Sequence, residues 1–147
     1  MEKLLNDQIV KQINDMFADI KEPVQVLYFG SEKNCETCAD TKQLLEEVTA
    51  LSDRLDLSVY DIDRDQATAA QYNVTNTPAI VIAAKDGSTV TDLGVQYSGI
   101  PAGHEFGVFI NDILMVSKRD SGLSQKTREF LKNLNKPLHL QVFVTPT

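Results

Sequence analysis

The sequence predicts an α/β fold, a three-layer α/β/α sandwich around a mixed four-stranded sheet, with a helix and a strand trailing behind it. Three observations lead there. Helical and strand periodicities alternate through the first half of the chain, the β-α-β order that parallel strands require. Pro78 then opens a short apolar run that ends in Lys85-Asp86-Gly87-Ser88, the pattern of an antiparallel hairpin. A length of 147 residues, 42% of them hydrophobic and 24% charged, suits one buried core and is too short for two.

In the first twenty residues Leu5, Ile9, Ile13 and Phe17 recur every fourth position, with Val10, Met16 and Ile20 beside them, which predicts a one-sided helix closed by Pro23. Residues 24–29 form a dense β-branched and aromatic run, short enough for a buried strand. Gly30-Ser31-Glu32-Lys33-Asn34 breaks the pattern, and Leu44, Leu45, Val48 and Leu51 restore helical spacing from Cys35 onward. Leu55, Leu57 and Val59 alternate with polar residues as a second strand, and Asp61, Asp63 and Asp65 make a charged turn into a short Ala-rich helix ending near Tyr72. After Pro78, residues 79–83 read as strand three and residues 95–98 as strand four, with a long turn, 84–93, between them. Phe106, Phe109, Ile110, Ile113 and Leu114 then give a helix whose wide apolar face can cover one side of the sheet.

A partial repeat follows. Shifted by 114 positions, Met16, Phe17 and Ile20 fall on Phe130, Leu131 and Leu134, Pro23 falls on Pro137, and residues 24–29 fall on 138–143. Residues 1–119 therefore read as one complete unit, and residues 120–147 as the first helix and strand of a truncated second one. The strand over 138–144 has a central-strand pattern without a sheet of its own, so self-association through it is expected.

Charge and composition exclude several partners. Lys and Arg number 14 against 21 Asp and Glu, a net charge of -7, which disfavours a phosphate backbone or an anionic membrane surface. No basic stretch with an apolar run behind it opens the chain, and no segment approaches the roughly 18 apolar residues of a membrane span. A cytoplasmic protein is expected, with neither nucleic acid nor membrane as partner.

The chemistry centres on two cysteines, Cys35 and Cys38, at the point where a strand hands over to a helix. At a helix start, free N–H groups and the positive dipole end stabilise a thiolate at Cys35, and Cys38 lies within bridging distance. Lowering a thiol pKa from about 8.5 to about 7 stabilises the thiolate by roughly 2 kcal/mol and raises its fraction at neutral pH more than tenfold. Glu36 opposes this by like charge and Lys33 offsets it. Two competing readings are weaker. Buried cysteines serving as small apolar side chains do not suit a solvent-facing loop, and zinc would need two more ligands where only His104 and His139 are available, on separate elements. His104 and His139 themselves read as solvated or loop-fixing residues, and the acidic run at Asp61 lacks the glycine and distal Glu of a calcium loop.

The CxxC after strand one, the Thr77-Pro78 step before strand three and the hairpin behind it together resemble the thioredoxin and glutaredoxin superfamily. The resemblance implies that Pro78 is cis and lies against the disulfide, and that Thr77 offers its backbone to an extended substrate strand. Thioredoxins carry a buried Asp six residues before the first Cys; Phe29 stands there, which favours the glutaredoxin-like branch and leaves the proton acceptor for Cys38 unassigned. The leading helix, the run Gly99-Ile100-Pro101-Ala102-Gly103-His104-Glu105-Phe106 and the closing Val142-Phe143-Val144-Thr145-Pro146-Thr147 resemble, more narrowly, the N-terminal glutaredoxin-like unit of the prokaryotic two-unit protein disulfide oxidoreductases. That resemblance covers nearly the whole chain. It implies a protein thiol-disulfide oxidoreductase in which Cys35 attacks a substrate disulfide, Cys38 resolves the mixed disulfide, and Thr77 and Pro78 bind the substrate chain. Protein disulfides are the expected partners, a flavoprotein of thioredoxin-reductase type the expected electron donor, and neither cofactor nor metal is expected in the chain itself. The alternatives are a glutathione-dependent glutaredoxin, disfavoured because no Gly-Gly-Asp segment follows strand four, and a redox-inactive docking module of the same fold.

Overall fold

The computed structural model describes residues 2–145; Met1 and the last two residues of the closing run, Pro146 and Thr147, lie outside the described residues. Helix α1 (Asp7–Phe17) starts where the Asn6 side chain accepts the N–H of Ile9, a capping bond that satisfies one of the free donors of its first turn. It ends at Phe17, six residues short of Pro23, because Ala18, Asp19 and Ile20 turn back onto the preceding carbonyls while Ile20 stays packed on the core. Strand β1 (Val24–Gly30) is buried along its whole length. Helix α2 (Cys38–Thr49) follows the loop that carries the cysteines, and β2 (Leu55–Asp61), α3 (Gln66–Gln71), β3 (Ala79–Asp86) and β4 (Thr89–Ser98) come next. Helix α4 (His104–Lys118) closes the unit, and α5 (Gln125–Lys132) trails it.

The four strands lie in the order β2-β1-β3-β4, with β1 parallel to β2 and antiparallel to β3, and β3 antiparallel to β4. Burying β1 in the centre explains its unbroken apolar run, since both faces are covered. Val24, Val26 and Tyr28 of β1 and Ile80, Ile82 and Ala84 of β3 meet α1, α2 and α4 on one face. Leu27, Phe29, Ala79, Val81 and Ala83 meet Ala69 and Tyr72, around α3, on the other. Gln25 is buried within β1 and its amide donates to the Asp56 carbonyl and the Ser58 hydroxyl of the neighbouring strand, so its polarity is satisfied. The three-layer sandwich with a mixed four-stranded sheet is the fold that the periodicities predict.

Two expectations need correction. The stretch 84–93 is no long turn: β3 and β4 run on to Asp86 and Thr89, and the link is the pair Gly87-Ser88, with Gly87 at a φ of +64° where glycine carries no Cβ penalty. The extra length is absorbed as a bulge, since Ile82 faces Val95 while Ala83 faces Asp92, leaving Leu93 and Gly94 between them. The trailing strand is also absent. Residues 138–144 form no strand in the structure, and Leu140, Val142, Phe143 and Val144 stand exposed, Phe143 to 88%. A strand is stable only against a partner, and none of the four strands pairs with this segment. The trailing helix does form, capped by Ser124, but buries none of its residues.

Candidate active site at the carboxyl end of strand one

Gly30 ends β1, and the loop from Ser31 onward carries the chain to Cys35. Gly30 is required by packing: a Cβ there would come within 2.8 Å of the Tyr28 ring carbon Cζ, so only glycine lets the Tyr28 ring lie over the strand end. Ser31 accepts the Lys33 N–H and donates to the Asp63 carboxylate, and Arg64 pairs with Glu32 at 2.7 Å, tying the loop to the turn after β2. Asn34 adopts a left-handed φ of +52°, which asparagine tolerates better than most residues, and turns the chain into Cys35.

Cys35 and Cys38 form a disulfide with a Cα–Cα distance of 5.4 Å. Helix α2 begins at Cys38, with Thr37 as its cap, so Cys35 stands just ahead of the first turn and not within it. The Thr37 carbonyl accepts both the backbone N–H and the hydroxyl of Thr41, which fixes the helix start. Cys35 is half-buried and Cys38 is 7% exposed. Beneath Cys38, the Tyr28 hydroxyl donates to the Cys38 carbonyl at 2.8 Å. Burial first, and then the nearby Asp61 charge, push the Tyr28 phenol above its ordinary value of 10.0. Asp61 loses some hydration, but the N–H groups of Asp63, Arg64 and Glu32 more than offset that and hold its carboxyl below the usual range. Asp61, Asp63 and Asp65 thus build the turn itself: Asp61 accepts the Asp63 and Arg64 N–H groups, and Asp65 accepts the N–H of Asp61. An open cavity of about 510 Å³ lies alongside, bounded by Tyr28, Cys38, Lys42, Asp61 and Arg64 among others.

The Thr77-Pro78 bond is cis. Thr77 is half-buried, Pro78 is buried, and the Pro78 carbonyl accepts the N–H of Gly99 at 2.8 Å. Phe29 pairs with Ala79, and continuing that register by one residue sets Pro78 beside Gly30. The start of β3 and the CxxC loop therefore share one end of the sheet. His104, the first residue of α4, and His139, in the unstructured tail, are both exposed and are not brought together. Tyr28 and Gly30 escaped sequence reading because they sit inside or beside an apolar run; a tyrosine in a buried strand needs a partner for its hydroxyl, and that requirement was the available signal.

A disulfide between a half-buried and a buried cysteine follows the central strand, at the sheet end where β3 begins, an arrangement chemically suited to thiol-disulfide exchange. Residues 23–92 match the family model described as Thioredoxin domain. The alkyl hydroperoxide reductase protein AhpF of Staphylococcus aureus is 29% identical over 145 residues, covering 98% of this chain and 25% of that protein, and the Staphylococcus epidermidis protein of the same name is 27% identical over 139 residues, covering 88% and 24%. The chain thus spans about a quarter of the length of these relatives. Among solved structures, a protein disulfide oxidoreductase from Aeropyrum pernix superposes with a TM-score of 0.76 at 29% identity, over 88% of this chain and 55% of that one. AhpF from Enterococcus faecalis superposes with a TM-score of 0.78 over 90% of this chain and 62% of that one, and its 22% identity carries the fold alone. The chain has a thioredoxin-like fold and is similar to the Aeropyrum pernix protein disulfide oxidoreductase and to AhpF. No helix among the described residues is long and apolar enough to cross a membrane.

Proposed function

We propose that the chain acts on protein disulfides by dithiol-disulfide exchange, with Cys35 as the attacking sulfur, Cys38 as the resolving one, and Thr77 and Pro78 as the site where the substrate chain docks. The observation that carries this reading is the unequal burial of two bonded sulfurs, Cys35 reachable from solvent and Cys38 enclosed, at the same sheet end as Thr77. Cys35 thiolate attacks a substrate sulfur, giving a mixed disulfide and a released substrate thiolate; Cys38 then attacks Cys35, and the second substrate sulfur leaves. Substrate gains two electrons and the dithiol becomes the disulfide. The likeness to a component of an alkyl hydroperoxide reductase supports the reducing direction, with a flavoprotein of thioredoxin-reductase type restoring the dithiol.

Residues 120–147 are proposed to correspond in sequence to the opening of a second such unit, with helix α5 as the counterpart of α1. The support is the repeat: Met16 and Phe17 of α1 lie in or against the core, whereas their counterparts Phe130 and Leu131 in α5 are 62% and 45% exposed, an apolar face of the same pattern. Insulin reduction tests the redox reading. Turnover with dithiothreitol, and none with glutathione and its reductase, is expected; turnover with glutathione indicates a glutaredoxin, and turnover with neither a docking module.

A further inference from the structure

The face of β1 turned toward α2 presents Val24, Val26 and Tyr28, so the phenol is the polar side chain that this strand offers to the cysteine helix. Tyr28 is 3% exposed, its ring lies over Gly30, and its hydroxyl donates to the Cys38 carbonyl at 2.8 Å. The cavity beside Cys38 opens to solvent between α2 and the turn after β2. We propose that Tyr28 is a positioning residue for the resolving thiol: its hydroxyl anchors the Cys38 main chain at the cavity wall, so that Cys38 loses its proton to cavity water and attacks Cys35 without a dedicated side-chain base.

This rests on the dithiol reading above. In the resolving step the Cys38 proton passes to water, the Cys38 thiolate bonds to the Cys35 sulfur, the bond from Cys35 to the substrate sulfur breaks, and the leaving thiolate takes a proton from solvent. A fixed donor at the helix start favours the thiolate by holding the Cys38 backbone in place and by drawing electron density onto its carbonyl. Burial and the Asp61 charge keep Tyr28 protonated through the neutral range, so the donor is constant where exchange operates. The charged and titratable groups around the cavity are Glu32 of the loop, Lys42 of α2, Tyr60 and Asp61 of β2, and Arg64 and Asp65 of the next turn. None of them changes in a Tyr28→Phe variant, so a shift in the pH profile there reports the hydroxyl.

The experiment follows formation and decay of the mixed disulfide between the reduced chain and a cysteine peptide disulfide by acid quench from pH 5 to 9, for the wild type and Tyr28→Phe. Formation should be unchanged within a factor of two, while decay slows about five- to tenfold and its pH midpoint moves up, the effect of one lost hydrogen bond near a developing charge. Equal decay rates and midpoints in a folded variant overturn the inference, as does an equal loss in formation and decay, which marks a purely structural role. Absence of any mixed disulfide in the wild type overturns the dithiol reading itself, and the inference with it. If Tyr28→Phe does not fold, 3,5-difluorotyrosine at position 28 keeps the ring and lowers the phenol pKa; resolution should then fail at lower pH than in the wild type, and an unchanged profile overturns the proposal.

Discussion

Cys35 and Cys38 differ by position more than by chemistry. Cys35 stands just ahead of α2, reachable from solvent and facing the positive end of the helix, whereas Cys38 is enclosed by Tyr28 and the helix core. In the reduced protein, iodoacetamide at pH 6 to 7 should therefore modify Cys35 at least several-fold faster than Cys38, as peptide mapping will show; faster modification of Cys38 reverses the two roles. Gly30 is the second residue on which the site depends. Gly30→Ala would drive a methyl group into the Tyr28 ring and loosen the bond to the Cys38 carbonyl, and a loss of about 1–3 kcal/mol in urea unfolding is expected from such overpacking. Glu47 acts at the opposite end of α2: its carboxylate accepts the N–H groups of Leu4 and Leu5 and the Gln43 amide. Partial desolvation works against it, but those bonds together hold its carboxyl below the ordinary 4.5, so its contribution to stability is present above pH 4.5 and fades as the pH falls through the lower folded value. Glu47→Gln should flatten that acid limb of the stability curve, and an unchanged limb contradicts the assignment.

Elements show where sequence pattern sufficed and where it did not. The order of helices and strands, the hairpin and the CxxC loop were legible because each rests on local periodicity or on a turn residue such as Gly87. Strand β4 was only half legible, because its bulge appears only once β3 is alongside, where the Asp92 carboxylate accepts the Gly94 N–H. The strand over 138–144 was misread for the converse reason: its pattern is local, but strand formation depends on a neighbour. The docking of α4 on β4 depends on a contact that no pattern shows, the Tyr97 hydroxyl donating to the Asp112 carboxylate at 2.5 Å, with the Tyr97 ring edge-on to Phe109. Burial, followed by the bond to Asp112 and the charges of Asp112 and Glu105, pushes the Tyr97 phenol far above its ordinary 10.0. The raised value means that stability from this group is fully present below pH 10 and declines as the pH rises above it. Tyr97→Phe should lower stability by about 1–2 kcal/mol at neutral pH and remove part of the alkaline decline, read from urea midpoints between pH 7 and 11.

At the scale of the whole molecule, the proposed boundary between the two units falls at Arg119. That residue takes a left-handed turn at the end of α4 and donates to the carbonyls of Val116, Pro23 and Lys85 and to the Asp86 carboxylate, clamping the helix end to the sheet. A chain ending at Arg119 should keep the fold, whereas one ending at Lys118 should lose about 1–3 kcal/mol by urea unfolding, which places the boundary after the clamp and not before it. Removal of residues 120–147 should also abolish any concentration-dependent association seen by sedimentation, since that segment carries the exposed Phe130, Leu140, Val142 and Phe143. Retained association would locate the contact on the first unit instead. The proposed redox site lies wholly within residues 28–78, so either truncation that folds should keep it. The central claim, that Cys35 attacks and Cys38 resolves, is tested most directly by trapping with a protein disulfide substrate and mass spectrometry. Cys38→Ser should accumulate a one-to-one mixed disulfide at Cys35, and Cys35→Ser should accumulate none; an equal adduct in both variants, or none in Cys38→Ser, would contradict it.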